Sequence, residues 1–456
     1  MLPFEDTIAA ITTPLGEGGV GIIRISGENS FEVAEKIFRT ARPKRWLEDS
    51  HRLHYGHVLD IYTGKVLDEV LLAVMKAPHT YTRENVVEIN CHGGMVPLRE
   101  VLKSVLAAGA RLADPGEFTK RAFINGRIDL TQAESVIDII RSKTDVALKV
   151  ALSQLEGGLS SRISLLQDSI LGILAQLEAS IDFPEDDVDI ESNRVMQKKA
   201  LEIVKKLGML IDAAAKGKIY REGIRTVITG RPNVGKSSLL NALLGRERAI
   251  VTSIPGTTRD VIEETINIRG IPLVLADTAG LRKTADLVEK IGVEKTREFL
   301  SGADLILFVV DAYEGITTED REILQTLQRE KTILIVNKTD LAEKTGVVRE
   351  ENMPSVEISA LKGEGIDLLE DKIEEIAGGG IATPESIIIS NVRHEEVLIR
   401  ARGHMNDFCY SLEENIPPDL LSIDIRNSWE ALGEITGTTV TENLLDRIFS
   451  DFCIGK

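Results

Sequence analysis

The sequence predicts a multidomain fold: an α/β N-terminal part, an all-α part, and a doubly wound α/β unit inserted into the helical part. Three observations carry this. Residues 222 to about 378 alternate short apolar runs with helix-length periodic segments, the pattern of a parallel sheet with helices on both faces. The stretches on either side, Phe118–Ile181 and Val392–Phe452, have helical periodicity. Residues 1 to about 118 mix strand-like and helix-like patterns. Two helical segments bracketing an α/β unit read as one helical domain split by an insertion. The expected units are residues 1–118, 119–218, 219–380 and 381–456, the second and fourth forming one domain.

The chain has 456 residues, 43% hydrophobic and 28% charged, an ordinary balance for a soluble globular protein. Its net charge of -18 argues against broad nonspecific nucleic-acid binding and leaves room for a local basic patch. Cys91, Cys409 and Cys453 are far apart without metal-ligand spacing, which suits a reducing cytoplasm. Glu5 and Asp6 argue against a signal peptide. No apolar run approaches the roughly 18 residues of a membrane span, so no membrane association is expected.

In the first unit, Val20–Ile25, Val70–Val74 and Val86–Ile89 read as strands, and Glu32–Phe38 and Pro97–Ala107 as helices. Gly16, Gly18 and Gly21 satisfy G-x-G-x-x-G, but a dinucleotide fingerprint must open a helix. The β-branched run that follows predicts a glycine-rich turn before a strand instead. Cys91-His92-Gly93-Gly94 reads as a strand end and turn rather than a nucleophile or metal site. From Phe118 to Ile181 there is no proline, and Gly157-Gly158 marks an interruption. Asp182–Asp189 is an acidic break before a further helix from Arg194 to about Lys216. The glycines at 378–380 and Pro384 read as a linker.

The chemistry lies in the inserted unit. Gly230-Arg231-Pro232-Asn233-Val234-Gly235-Lys236-Ser237 fits G-x-x-x-x-G-K-[ST] at every fixed position. It sits between a predicted strand, Arg225–Thr229, and a helix start at Ser238–Leu244, so backbone N–H groups and a helix N-terminus face an anion. Lys236 reaches β- and γ-phosphates, and Ser237 offers a hydroxyl to Mg²⁺. Asp277-Thr278-Ala279-Gly280 follows a second strand, where Asp277 suits Mg²⁺ through water and the Gly280 N–H suits a γ-phosphate. Asn337-Lys338-Thr339-Asp340 follows a third; the Asp340 carboxylate accepts from the ring N–H and amino group of guanine, a donor pair adenine lacks. Ser359-Ala360 suits a base-contacting loop, and Thr252–Thr258 suits a switch. All occur in order at strand ends, where such sheets bind ligands, and together predict a GTPase. Leu281 stands where Ras-like proteins carry a water-orienting Gln, and an apolar side chain cannot orient water. Arg259 and Arg282 are candidate charge stabilisers, with exposed surface arginine as the ordinary alternative.

The run G-R-P-N-V-G-K-S-S-L-L-N-A-L followed by P-G-T-T-R-D, D-T-A-G-L-R and N-K-T-D resembles the Era-like GTPases. Gly19–Gly27, Pro115–Phe118, Arg121–Arg127, Ile181–Pro184 and the terminal Phe452-Cys453-Ile454-Gly455-Lys456 narrow the resemblance to the MnmE (TrmE) family of the TrmE-Era-EngA-like GTPases, over the whole length. The resemblance implies an N-terminal α/β folate-binding and dimerisation domain, a helical domain from two segments, and a Ras-like G domain. It implies a homodimer acting with the FAD-dependent flavoprotein MnmG (GidA) on the wobble uridine of tRNA. The family adds a carboxymethylaminomethyl or aminomethyl group at carbon 5, with 5-formyl- or methylene-tetrahydrofolate as one-carbon donor. Folate contacts map onto Arg24, Glu88, Arg127 and Lys456, with Arg127 where some members carry Lys. Nucleotide contacts map onto Asn233, Val234, Gly235, Lys236, Ser237, Ser238, Thr252, Thr257, Thr258, Asp277, Gly280, Asn337, Lys338, Asp340, Ser359 and Ala360. Mg²⁺ falls to Ser237 and Thr258, and an activating K⁺ to Asn233, Thr252, Ile254 and Thr257. Glu289 is expected to orient the water, with Lys236 and Gly280 as the other catalytic groups, and Cys453 is a candidate near the folate. The alternative function class is a switch that gates RNA association without modifying it.

Overall fold

The computed structural model describes residues 6–40, 49–182, 193–246, 264–275, 300, 302–341, 350, 353–378, 389–414 and 416–456. In the first part, alternating apolar positions give strands that bury one face. These are β1 (Ile8–Ile11), β2 (Gly18–Ser26), β3 (Phe38–Arg39), β4 (Arg52–Leu59), β5 (Val66–Met75), β6 (Val86–Gly93) and β7 (Arg111–Leu112). They form one sheet in the order β3-β4-β5-β6-β2-β1-β7. Its pairs are antiparallel except β1 with β7. Helices Ser30–Ile37 and Met95–Ala107 cover one face, packing Val33, Ile37, Leu98 and Val101 against Ile23, Leu72 and Ile89. On the β4–β5 pair, Leu53, Tyr55 and Leu71 are exposed. The Gly16–Gly21 segment enters β2, with no helix following it, as the β-branched run predicts.

Helices Glu117–Ile124, Leu130–Arg141, Asp145–Leu155, Gly158–Asp182 and Asn193–Glu222 follow. Gly157, in the left-handed region at φ 87°, separates two of them. Helices Val392–Glu413, Pro418–Thr436 and Glu442–Ser450 close the chain. Ile163, Ile170 and Leu207 from before the insertion share one core with Leu398, Phe408, Ile425 and Ile435 from after it. The two helical segments therefore pack as one body. The acidic residues 183–189 and the linker residues 379–388 lie outside the described residues.

Between these segments, β8 (Ile224–Thr229), β9 (Glu264–Ile268), β10 (Ile271–Leu275), β11 (Leu305–Asp311), β12 (Thr332–Asn337) and β13 (Ser355–Glu357) form a second sheet, ordered β13-β12-β11-β8-β10-β9. Only β9 runs antiparallel to its neighbour. Apolar clusters lie on both faces, as the near-continuous apolar strands require.

One helix holds both crossings into the inserted unit. Leu130–Arg141 starts in a capping box, with Asp129 and Gln132 each accepting from the other's backbone N–H. Glu134 and Asp138, one turn apart, share a face of it. Arg221, just before β8, donates from Nε to Asp138 Oδ1 at 2.8 Å. Arg393, just after the chain returns, donates to both oxygens of Glu134 at 2.9 and 2.8 Å, and His394 Nε2 lies 2.7 Å from Glu134 Oε2. Burial alone would raise the Glu134 pKa, but His394 and Arg393 outweigh it and hold the carboxyl at about 2. Beyond this helix, Thr144 Oγ1 donates to Gly270 O, in the β9–β10 turn, at 2.9 Å.

Candidate functional site

Four parallel strands, β8, β11, β12 and β13, end at one edge of the second sheet. After β8 the backbone turns through left-handed conformations at Asn233 (φ 65°) and Gly235 (φ 101°). A Cβ at Gly235 would collide with the Asn337 amide. Gly230–Ser237 therefore forms a tight loop that runs into the helix Lys236–Arg246. Ser237 and Ser238 lie in its first turn, where backbone N–H groups lack intrahelical partners. Lys236 Nζ donates to Gly230 O at 2.7 Å and to Arg231 O at 2.6 Å. Its burial pushes the ammonium below the ordinary lysine range.

Asn337 joins three loops at this edge. Its Nδ2 donates to Val234 O at 2.8 Å, and its Oδ1 accepts from Ala360 N at 3.0 Å. Ser359 Oγ donates to Asp340 Oδ1 at 2.7 Å. Lys338, in the left-handed region at φ 67°, donates from Nζ to Asp311 Oδ2 at 2.7 Å. Burial would raise Asp311, but the Lys338 ammonium holds it below the usual carboxylate range. The structure thus gathers Asn233, Val234, Gly235, Lys236, Ser237, Ser238, Asn337, Lys338, Asp340, Ser359 and Ala360 at one edge. Thr252, Ile254, Thr257, Thr258, Arg259, Asp277, Gly280, Leu281, Arg282 and Glu289 lie outside the described residues.

A second constellation forms in the first sheet. Arg24 on β2 stands in register with Glu88 on β6, and its Nε donates to Glu88 Oε1 at 2.8 Å. The Arg24 guanidinium lies 5.5 Å from the Tyr81 ring centroid and 5.6 Å from that of Phe118. Arg127 lies 4.7 Å over the same Tyr81 ring and donates from Nη1 to Tyr81 O at 3.1 Å. The C-terminal tail completes the set. Lys456 O accepts from Phe118 N at 3.2 Å, Cys453 O from Gly116 N at 3.4 Å, and Ile454 bridges Pro115. Gly455 holds φ 94°, and a Cβ there would collide with Ile11 O. Arg24 and Arg127 therefore meet at Tyr81, Glu88 joins through Arg24, and the backbone of Lys456 is tied to Phe118; Cys453 is exposed on the same tail.

Sequence reasoning assigned no role to several of these residues. Tyr81 and Phe118 carry the arginine stacking, and only their aromatic character pointed to it. Arg121, fully buried, ties the loop carrying Glu84 to the helix carrying Phe118: it bonds Asp6 at 2.6 Å, Glu117 at 2.9 Å and Glu84 at 3.1 Å. Asp311 carried no motif at all. Cys91-His92-Gly93 closes β6, the strand end that the sequence predicts. Cys91 is buried, and burial, then Asp68, pushes its thiol up to about 12, away from the thiolate. Arg221, just before β8, is committed to Asp138.

The structure thus has a loop cluster at one edge of the second sheet and a cationic, aromatic cluster on the first sheet. Residues 130–453 match the family model of the MnmE helical domain, and residues 7–127 match that of the GTP-binding protein TrmE N-terminus. A tRNA modification GTPase MnmE from Desulforamulus reducens is 52% identical over 459 residues, covering 99% of this chain and 100% of its own. The chain belongs to the MnmE family. The tRNA modification GTPase MnmE of Geobacillus kaustophilus is 52% identical, covering 99% of each chain. That of Alkaliphilus oremlandii is 50% identical, with the same coverage. Membership makes the chain a GTP-hydrolysing enzyme with a multidomain α/β and helical fold. Among the described residues no helix is long and apolar enough to cross a membrane.

Proposed function

We propose that this chain couples GTP hydrolysis to modification of carbon 5 of the wobble uridine in tRNA. With an FAD-dependent partner resembling MnmG, it adds a carboxymethylaminomethyl or aminomethyl group, of which a tetrahydrofolate donates only the carbon bonded to the ring and an amine co-substrate supplies the rest. The supporting observation is that Arg24 and Arg127 meet at Tyr81, with Glu88 joined through Arg24 and the backbone of the distant Lys456 tied to Phe118, in a chain that also carries a guanine-nucleotide edge. Cationic and aromatic side chains suit a flat heterocycle with a glutamate tail. 5-Formyl- or methylene-tetrahydrofolate supplies the one-carbon unit when bound.

On the nucleotide side, Asp340 accepts from guanine, and Ser359 aims its carboxylate. Lys236, held by the carbonyls of Gly230 and Arg231, turns its third N–H to the phosphate oxygens, with Asn233, Val234, Gly235, Ser237 and Ser238 around them. Gly280 contacts the γ-phosphate, and Glu289 holds the attacking water, the task Leu281 cannot perform. The Ser237 hydroxyl and Asn233 amide oxygen are hard donors suited to hard cations. Ser237 and Thr258 would hold Mg²⁺, and Asn233, Thr252, Ile254 and Thr257 would hold K⁺; the two cations would supply positive charge for phosphoryl transfer. Domain boundaries near 118, 218 and 380 belong to this reading. So does a homodimer, for which the exposed Leu53, Tyr55 and Leu71 offer an apolar face.

Wobble-nucleoside mass spectrometry on a deletion strain carrying this chain tests the proposal. Restored modification supports it; unmodified uridine with normal protein levels contradicts it. GTP turnover in KCl and in NaCl tests the cation, with faster turnover expected in KCl and equal rates contradicting a K⁺ site.

A further inference from the structure

Arg231 occupies a variable position of the phosphate loop, and its side chain is held with unusual care. Its Nε lies 2.9 Å from both carboxylate oxygens of Asp320, and its Nη2 donates to Glu314 Oε2 at 2.8 Å. The Arg231 side chain is 15% exposed and that of Asp320 is 0% exposed. Asp320 Oδ2 also accepts from Thr317 N at 3.0 Å and Thr317 Oγ1 at 2.8 Å, closing the capping box of the helix Thr318–Leu324. That box ordinarily carries Glu or Gln at the third helical position. The shorter Asp here both closes the helix and grips the loop arginine.

The grip reaches the phosphates through one backbone group. The Arg231 carbonyl accepts from Lys236 Nζ. Its side chain is anchored to the segment after β11, and Asp311, where that segment begins, holds Lys338 of the base loop. One stretch, Asp311–Asp320, therefore braces the phosphate loop and the base loop against each other. No nucleotide motif covers it.

We propose that Asp320 and Glu314 are positioning residues for GTP binding, acting through Arg231 to hold the phosphate loop in its binding shape. This rests on the reading that Gly230–Ser237 holds the phosphates. Arg231 does not touch the reacting atoms in this scheme, so its loss falls on binding, which lies in KM, rather than on kcat.

The experiment is steady-state GTP hydrolysis by the full chain, with fluorescent GDP binding and Tm measured in parallel. Asp320→Asn keeps an oxygen for Thr317 and removes the charge facing Arg231. It is expected to raise KM and the GDP Kd about tenfold, the size of one charge-assisted hydrogen bond, with kcat within about twofold. Arg231→Gln should give the same shift, and the double variant should be no worse than either single one. Arg231→Lys should recover part of the affinity. Glu314→Gln, at a half-exposed position that tolerates change, should shift KM in the same direction by a smaller factor. Unchanged KM in Asp320→Asn and Glu314→Gln, or additive losses in the double variant, overturns the proposal. Lys236→Ala separates the two readings. If it binds GDP normally, the phosphate-loop reading fails; if it loses GDP while Asp320→Asn does not, only the brace fails.

Discussion

The nucleotide edge and the proposed one-carbon site are built in opposite ways. The nucleotide residues sit in short contiguous runs at the ends of parallel strands, and the sheet gathers them because successive strands lie side by side. Arg24, Glu88, Arg127 and Lys456 are scattered over nearly the whole chain. An antiparallel register brings the first two together, a loop brings the third, and the returning C-terminus brings the fourth. A site at a parallel sheet's edge tolerates reading one motif at a time. A site made across strands and termini exists only once the whole chain has folded.

The largest break in this comparison should come from Asn337→Ala. Asn337 is 2% exposed and bonds both the phosphate loop and the Ala360 loop. Losing both bonds and stranding buried partners costs about 3 kcal/mol, or roughly hundredfold in GDP affinity. Folate affinity should not change. Fluorescent GDP titration beside folate titration reads both, and equal losses at the two sites would erase the distinction.

Glu134→Gln tests the body between them. Removing one partner of a buried pair costs about 3 kcal/mol of stability. Both ligand affinities should survive in the folded fraction, while the unfolding midpoint drops. The pH dependence has a definite sign. Glu134 lies at about 2 when folded, against an ordinary 4.5, so its contribution is present above pH 4.5 and is lost as pH falls toward 2. Chemical denaturation from pH 7 to pH 3 should therefore show a steeper acid loss in the wild type than in Glu134→Gln. Parallel curves would remove this pair from the account.

Gly455→Ala acts only on the other site. The left-handed backbone and the collision with Ile11 O should displace the tail, costing about 1–2 kcal/mol and about tenfold in folate affinity, with GTP turnover unchanged. The smallest effect belongs to Arg127→Lys. It keeps the charge and loses the planar stack on Tyr81, worth about 1 kcal/mol and roughly fivefold in folate affinity.

Legibility in the sequence followed the same division. Glycine spacing, Lys236 and Asp340 announced the nucleotide, because each motif is its own turn with its own chemistry. Helical periodicity announced the split helical body, and Leu398 and Ile163 do share a core. The Arg24–Glu88 pair depended on strand register, which local pattern does not specify. Tyr81 looked like any loop aromatic, and its two arginines come from β2 and from the loop after helix Glu117–Ile124. Without the resemblance the one-carbon site was silent. The Glu134 and Asp138 face carries no motif of its own, since their cationic partners lie about 260 and 83 residues away in the chain. Arg231 and Asp320 were invisible for the same reason.

The measurement that bears most directly on the account is calorimetric titration of 5-formyltetrahydrofolate into the full wild-type chain and into Arg24→Ala, with GTP turnover recorded on the same samples. The account predicts saturable binding to the wild type, binding at least tenfold weaker in Arg24→Ala, about the size of one lost charged contact, and equal GTP turnover. Indistinguishable folate affinities would remove Arg24 from the site and contradict the assembly of the one-carbon site around Tyr81 and Phe118.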